Sequence, residues 1–229
     1  PCGVEIAALP PDPSTEILAT VPERPPLILA SGSPQRRRLL AEAGYSFAVM
    51  PPDDHVECGI CSQGGPAALV VELATEKAAN VAARLAHGER PPDGLPGATD
   101  SRVIVACDTV AECGGEVLGK PADEAHAASM LARLRGNRHR VYSGLCLWPW
   151  SPTGSAVAAP QTKLAVSELF LEPIADELLD EYLASGLWQG KAGAFGYQDR
   201  HGWLRLETGS ESNVIGLPME LLAEMLSAG

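Results

Sequence analysis

Positive charge is scarce in this 229-residue chain: 17 Lys and Arg stand against 29 Asp and Glu, a formal net charge of −12. A non-specific nucleic-acid binder needs a basic field over its surface, so the chain is a poor candidate for one and no nucleic-acid partner is expected. Any anionic ligand must be met by a local convergence of cations or through a metal. Cysteine is also sparse, and 6 in 229 residues do not make a disulfide scaffold. No apolar run reaches the ~18 residues of a membrane span, which leaves no membrane partner. The opening PCGVEIAALPPDPSTE lacks the basic start and long apolar centre of a secretory leader. These absences together give the expectation of a soluble protein in a reducing cytoplasm. The chain also contains no GxxxxGK[ST] phosphate loop, no internal repeat and no coiled coil.

Hydrophobic residues make up 45% of the chain and charged residues 20%, enough for a sizeable core and incompatible with wholesale disorder. The length fits one domain, with room for two lobes. Residues 1–26 are Pro-rich with few large apolar groups and read as a flexible extension; the domain proper is expected at 27–229. Leu27 to Ala30 reads as a buried strand. A small-residue loop follows, then a helix with Ser33 as N-cap, Pro34 at its first position and Gly44 just past its end. Pro66 to Ala86 has helical spacing of Leu69, Leu73, Ala74, Val81 and Leu85. Residues 88–101 read as a surface loop. Arg102 to Val110 is apolar on both alternating faces, as in a strand covered on both sides. Gly114-Gly115 turns it into a hairpin. Helices are expected over Pro121–Leu134, Ala175–Ala184 and Leu217–Leu226, and strands over Val141–Trp148, Leu164–Leu171 and Trp203–Leu206. Strands interleaved with helices define an α/β class.

Several residues carry chemistry. Ser31-Gly32-Ser33-Pro34-Gln35-Arg36 opens a helix, where unpaired N–H groups and a partial positive charge favour an anion. Ser31 and Ser33 add hydroxyls, Gly32 lets a ligand approach the backbone, and Arg36 adds a fork suited to phosphate. The same residues also describe an ordinary capped helix with a solvated Arg face. Asp108 lies inside an apolar strand, where an unpaired carboxylate is costly; it needs a cation, a metal or an open strand end. Lys77 interrupts an apolar helical stripe, either snorkelling to solvent or pointing into a cleft. Lys120 precedes Pro121 at the mouth of a helix. The acidic stretch from Asp53 to Glu57 offers oxygen ligands for Mg²⁺ or Mn²⁺, or is a solvated loop. Cys58 and Cys61 form a single CxxC, short of the two pairs usual in a zinc site and without a thioredoxin-like setting.

The segments LILASGSPQRRRLL, ATEKA, VIVACDTVAECGGEVLGKP, LARLRGNRHRVY, GKAGAFGYQ and NVIGLP occur in this order from Leu27 onward. In combination they resemble the Maf-like nucleotide pyrophosphatases, also called septum formation inhibitor proteins. The resemblance implies an elongated Maf/ITPase-like α/β fold, a mixed β-sheet with flanking helices and two lobes around a deep cleft. It implies cytoplasmic hydrolysis of a nucleoside triphosphate to the monophosphate and pyrophosphate with a divalent metal, and a homodimer. Ser31, Arg36, Lys77, Asp108, Lys120 and Gln198 match the family's functional positions, Asp108 as the proton acceptor. Glu57 matches an acidic position after the second strand, making Asp108 and Glu57 the implied metal ligands. Gln35, Thr109 and Gln198 fall at the positions associated with base choice. Thr109 and Gln198 resemble the branch acting on dTTP and UTP. Gln35 departs from the Arg of that branch and from the Trp of the branch acting on 7-methyl-GTP, so a modified nucleotide stays open as substrate. A non-catalytic nucleotide-binding regulator of cell division is the alternative, and a thiol or zinc protein built on Cys58 and Cys61 a third reading.

Overall fold

The computed structural model describes residues 24–57, 64–94, 101–152, 158–197, 199 and 202–228, with Glu57 described in its backbone only. Residues 1–23, Cys58, Cys61, residues 95–100 and Gln198 therefore lie outside the described residues. In chain order the elements are β1 (Leu27–Leu29), α1 (Pro34–Glu42), β2 (Phe47–Val49), α2 (Gly65–Ala86), β3 (Arg102–Cys113), β4 (Glu116–Leu118) and α3 (Glu124–Leu134). Then come β5 (Arg138–Trp150), β6 (Gln161–Leu171), α4 (Asp176–Ala184), β7 (Leu204–Thr208), α5 (Glu211–Ile215) and α6 (Met219–Ser227). The strands form one mixed sheet in the order β2-β1-β3-β5-β6-β7, with β4 paired to β3. β2, β1 and β3 run parallel; the remaining pairings are antiparallel.

Strand alternation sorts the core. Leu27, Leu29, Val105 and Cys107 pack with Leu40 of α1 and Leu222 and Met225 of α6. Ile28, Ala30, Ile104 and Ala106 point the other way and pack with Ala74, Ala78, Val81 and Leu85 of α2. A separate cluster of Leu118, Leu131, Leu134, Leu169, Leu171 and Tyr182 fills the far end of the sheet. The expected α/β architecture with two lobes is thus two bodies of core joined through the long strands β3 and β5.

The joint is a gap in the sheet. β1 covers one edge of β3 only from Val103 to Val105, and β4 covers the same edge only from Ala111 to Cys113. Between these pairings the edge from Ala106 to Val110 faces the loop after β1 instead of a strand. A crevice outside the end of a parallel strand is where α/β sheets admit ligands.

Some boundaries differ from the sequence reading. α3 starts at Glu124, not Pro121, because Asp123 takes the N-cap and accepts the His126 N–H at 2.8 Å. β5 begins at Arg138. Its polar start is tolerated because Arg138 pairs with Glu207 of β7 and Arg140 with Glu168 of β6. β3 runs on to Cys113; α5 was not expected, and β2 was implied only by the resemblance, as the strand before Glu57, without a range. The fold's contacts also begin before Leu27: Arg24 donates to the Ala43 carbonyl at 2.9 Å and lies 4.5 Å over the Tyr45 ring.

Candidate active site

The gap opens into a cavity of about 350 Å³. Ser31, Ser33, Gln35, Arg36, Lys77, Asp108, Thr109 and Lys120 all line it. The expected loop geometry is present: Ser33 caps α1, and its Oγ accepts the Arg36 N–H at 3.4 Å and donates to Gln35 Oε1 at 3.0 Å. Asp108 is in mid-strand of β3.

Two consecutive residues of β3 serve opposite faces. Asp108 faces α2, where its Oδ1 meets Lys77 Nζ at 2.7 Å; the side chains are 14% and 3% exposed. Lys77 therefore points into the cleft and does not snorkel. The approach depends on Gly144, the register partner of Asp108 on β5. A Cβ at Gly144 would sit 2.2 Å from the Val70 carbonyl oxygen, so α2 rests directly on the bare backbone. Two turns further along α2, Lys77 reaches Asp108.

Thr109 faces α1 and α5. Arg36, 9% exposed, is held there by three groups. Its Nε donates to the Gly216 carbonyl at 2.8 Å, Nη1 to Ser31 Oγ at 3.1 Å and Nη2 to Thr109 Oγ1 at 3.2 Å. The Thr109 hydroxyl also bonds Ser143 Oγ at 2.8 Å. These partners are all neutral, so the guanidinium is oriented without losing its charge to a carboxylate, and its remaining N–H groups can serve an anion.

Lys120 is exposed at the cavity mouth, just after β4. The preceding Gly119 carbonyl accepts the Gly193 N–H at 3.0 Å, tying this corner to the Gly-spaced segment. Glu57 ends a helical turn over Asp54–Glu57, with its side chain outside the described residues.

Sequence reasoning missed Lys191 and the Gly216 carbonyl. Lys191 lines the cavity and its ammonium is paired with Asp199. The same Asp199 oxygen accepts the Tyr182 hydroxyl at 2.7 Å and the Gly196 N–H at 3.0 Å. The available signal was Gly196: a Cβ there would meet Asp199 at 2.6 Å. The signal for Gly216 was a glycine straight after a short helix, at φ 126°.

Among the described residues, the charged groups lining the cavity are Arg36, Lys77, Lys120 and Lys191 against the carboxylate of Asp108, with Asp199 behind Lys191. A chain of net charge −12 thus presents a locally cationic pocket that suits a polyanion. Cys107 lies beside it, but burial pushes its thiol up, and its Sγ contacts the Gly216 carbonyl at 3.3 Å. Thiolate chemistry at that position is disfavoured. No cluster of three His, Cys, Asp or Glu side chains occurs among the described residues. A hard cation of the Mg²⁺ type is commonly held by one or two carboxylates with the rest of its shell from water and phosphate. The Asp108 carboxylate in this cation-lined cavity fits that donor set.

The family model described as Maf-like protein matches residues 26–229. A Rhodopirellula baltica protein named dTTP/UTP pyrophosphatase is 48% identical over 201 residues, covering 87% of this chain and 80% of the relative. A Geobacter metallireducens protein of the same name is 34% identical over 212 residues, covering 91% and 99%. Among solved structures, the Staphylococcus aureus Ham1 protein is similar at a TM-score of 0.47 and 13% identity, covering 89% of this chain and 98% of that one.

Proposed function

Because the chain belongs to the Maf-like protein family, we propose that it is a nucleoside triphosphate pyrophosphatase acting on dTTP and UTP, with Asp108 as the catalytic carboxylate. The observation that carries this reading is the convergence of Asp108, Arg36, Lys77 and Lys120 on one cavity from four separate stretches of chain. The relatives' names supply the choice of base.

Water attacks the α-phosphorus as the bond from that phosphorus to the α,β-bridging oxygen breaks, the oxygen leaving with pyrophosphate and the water oxygen staying on the nucleoside monophosphate. Asp108 orients that water and takes its proton. Lys77, held against Asp108, and Arg36, on the other face of β3, flank the phosphate chain and offset the charge that builds on the leaving pyrophosphate. Lys120 meets the outer phosphates at the mouth. Ser31, Ser33 and the N–H groups of the loop fix the chain's position. Gln35, Thr109 and Gln198 bear on the base, Thr109 also through its bond to Arg36. A Mg²⁺ or Mn²⁺ ion held by Asp108 and Glu57 would supply further positive charge toward the phosphates. The same reading has the protein working as a homodimer in the cytoplasm.

The test is pyrophosphate release from dTTP, UTP, CTP, ATP, GTP and 7-methyl-GTP, each with Mg²⁺, Mn²⁺ or chelator. The expected result is metal-dependent turnover with dTTP and UTP foremost. Preference for 7-methyl-GTP would transfer the base assignment to the other branch. No pyrophosphate from any of them would refute the enzymatic reading. Light scattering reads the dimer.

A further inference from the structure

Asn213 lies in the NVIGLP segment, is 1% exposed, and does not line the cavity. Its Nδ2 donates to Ser167 Oγ at 2.9 Å and to the Val141 carbonyl at 3.3 Å. Among the described residues its Oδ1 has no partner. A buried amide with an unpaired carbonyl costs stability that a well-packed apolar residue would not.

Its backbone leads to the site. α5 is only five residues long and cannot hold itself together as an isolated helix. It is pinned at its start to β6: the Ser210 N–H donates to Ser167 Oγ at 3.1 Å, and Ser167 Oγ donates to the Ser210 carbonyl at 3.2 Å. A Cβ on Gly209 would lie 2.3 Å from Ser167 Oγ, so this loop sits directly on the serine. At the other end, the Gly216 N–H donates to the Asn213 carbonyl at 3.0 Å. Gly216 stands at φ 126°, a conformation that suits glycine. Its carbonyl faces Arg36 Nε, Thr109 Oγ1 and Cys107 Sγ.

We propose that Asn213, clamped to Ser167 and the Val141 carbonyl, is a positioning residue that sets the Gly216 carbonyl and through it the guanidinium of Arg36. The proposal rests on the pyrophosphatase reading for its catalytic consequence, but not for the clamp itself. Neither Asn213 nor Ser167 lines the cavity, so an effect on turnover is relayed, through α5 to Gly216 or through Val141, which does line it; only the first route moves Arg36 Nε. Misplacing a charge-stabilising group by about an ångström can cost up to roughly 100-fold in rate.

The experiment compares wild type, Asn213→Ala and the milder Ser167→Ala. The first readout is hydrogen exchange of the Arg36 Nε–H by NMR, its signal assigned by loss in Arg36→Lys. Slow exchange in the wild type and at least about tenfold faster exchange in either folded variant is expected. The second readout is pyrophosphate release. The expected result is kcat lowered about 10- to 100-fold with a smaller change in KM. In an Arg36→Lys background, Asn213→Ala should add less than about twofold, because a residue acting through Arg36 is non-additive with it. Unchanged Arg36 exchange in a folded Asn213→Ala or Ser167→Ala protein would overturn the clamp. So would an equal kcat loss in the two backgrounds, the mark of a merely structural residue. Should Asn213→Ala not fold, Ser167→Ala carries the same measurements. A wild type that releases no pyrophosphate would sink the pyrophosphatase reading, while the exchange result still decides the clamp.

Discussion

The two faces of β3 solve different problems with adjacent residues. On the α2 face, Lys77 and Asp108 form one ion pair, almost fully enclosed, with a carboxylate as the cation's partner. On the α1 and α5 face, Arg36 is surrounded by a carbonyl and two hydroxyls. Neutral acceptors fix geometry and leave net charge; a carboxylate partner neutralises it. On the proposed reading the Arg face is the anion-holding wall and the Lys face the wall that carries the reacting carboxylate. A buried ion pair alone is weak evidence for stability, because desolvation offsets the attraction. Its place at the gap in the sheet, lining one cavity with Lys120 and Arg36, is what gives it a chemical meaning.

The sharpest way to break this contrast is Asp108→Asn. It keeps the shape of the Lys77 face and removes the proton acceptor. Turnover should fall by about 10²- to 10⁴-fold while nucleotide binding, read by calorimetry, is retained. Near-normal pyrophosphate release would place the reacting base elsewhere. Gly144→Ala attacks the same face from behind. The added methyl would collide with the α2 backbone at Val70, so the helix must lift and carry Lys77 away from Asp108. A loss of about 1–3 kcal/mol in denaturant unfolding is expected, together with lower kcat. An unchanged melting curve would mean that α2 does not press on β5. Lys120→Ala comes next in size, since Lys120 is exposed at the mouth. Several-fold weaker triphosphate binding with little change for the monophosphate is expected; equal effects on both would take Lys120 off the outer phosphates.

Much of this was readable in the sequence. The Leu27–Ala30 strand, the Ser33 cap and the apolar run around Asp108 each obey a local rule, and local rules survive into the fold. Asp108 could be singled out because a carboxylate in an apolar strand demands a partner. Which partner was not readable: Lys77 fitted snorkelling as well as pairing until α2 was seated on Gly144, and that seat is a tertiary contact. α5 and β2 are too short to carry a period. The Gly216 carbonyl has no side chain to betray it. Lys191 was passed over because its partner, Asp199, reaches it through a folded Gly-spaced segment. The start of β5 was hidden for a related reason: Arg138-His139-Arg140 looks like a loop until the acidic residues of β6 and β7 stand opposite.

That same triplet holds the smallest and most selective test of the two faces. Alternation along β5 puts His139, Val141 and Ser143 on the Thr109 face, away from Lys77. His139 is 7% exposed, its Nδ1 has no hydrogen-bond partner among the described residues, and burial pushes its pKa below the ordinary value of 6.5 against the opposing pull of the Asn137 backbone. The unfolded chain therefore takes up a proton that the native protein refuses. The sign follows by linkage: the contribution is fully present above about pH 6.5 and is lost as pH falls from there through the lower native value, at no more than about 1.4 kcal/mol per pH unit. Urea unfolding at pH 7.5 and pH 5 should show wild type losing more stability on acidification than His139→Phe, which fills the site without a titrating group. Because the strain enters on the Thr109 face, the Arg36 Nε–H should lose exchange protection in acid before the Lys77 face loosens. Equal pH slopes for the two proteins would mean that His139 is protonated, and solvated, in the native state.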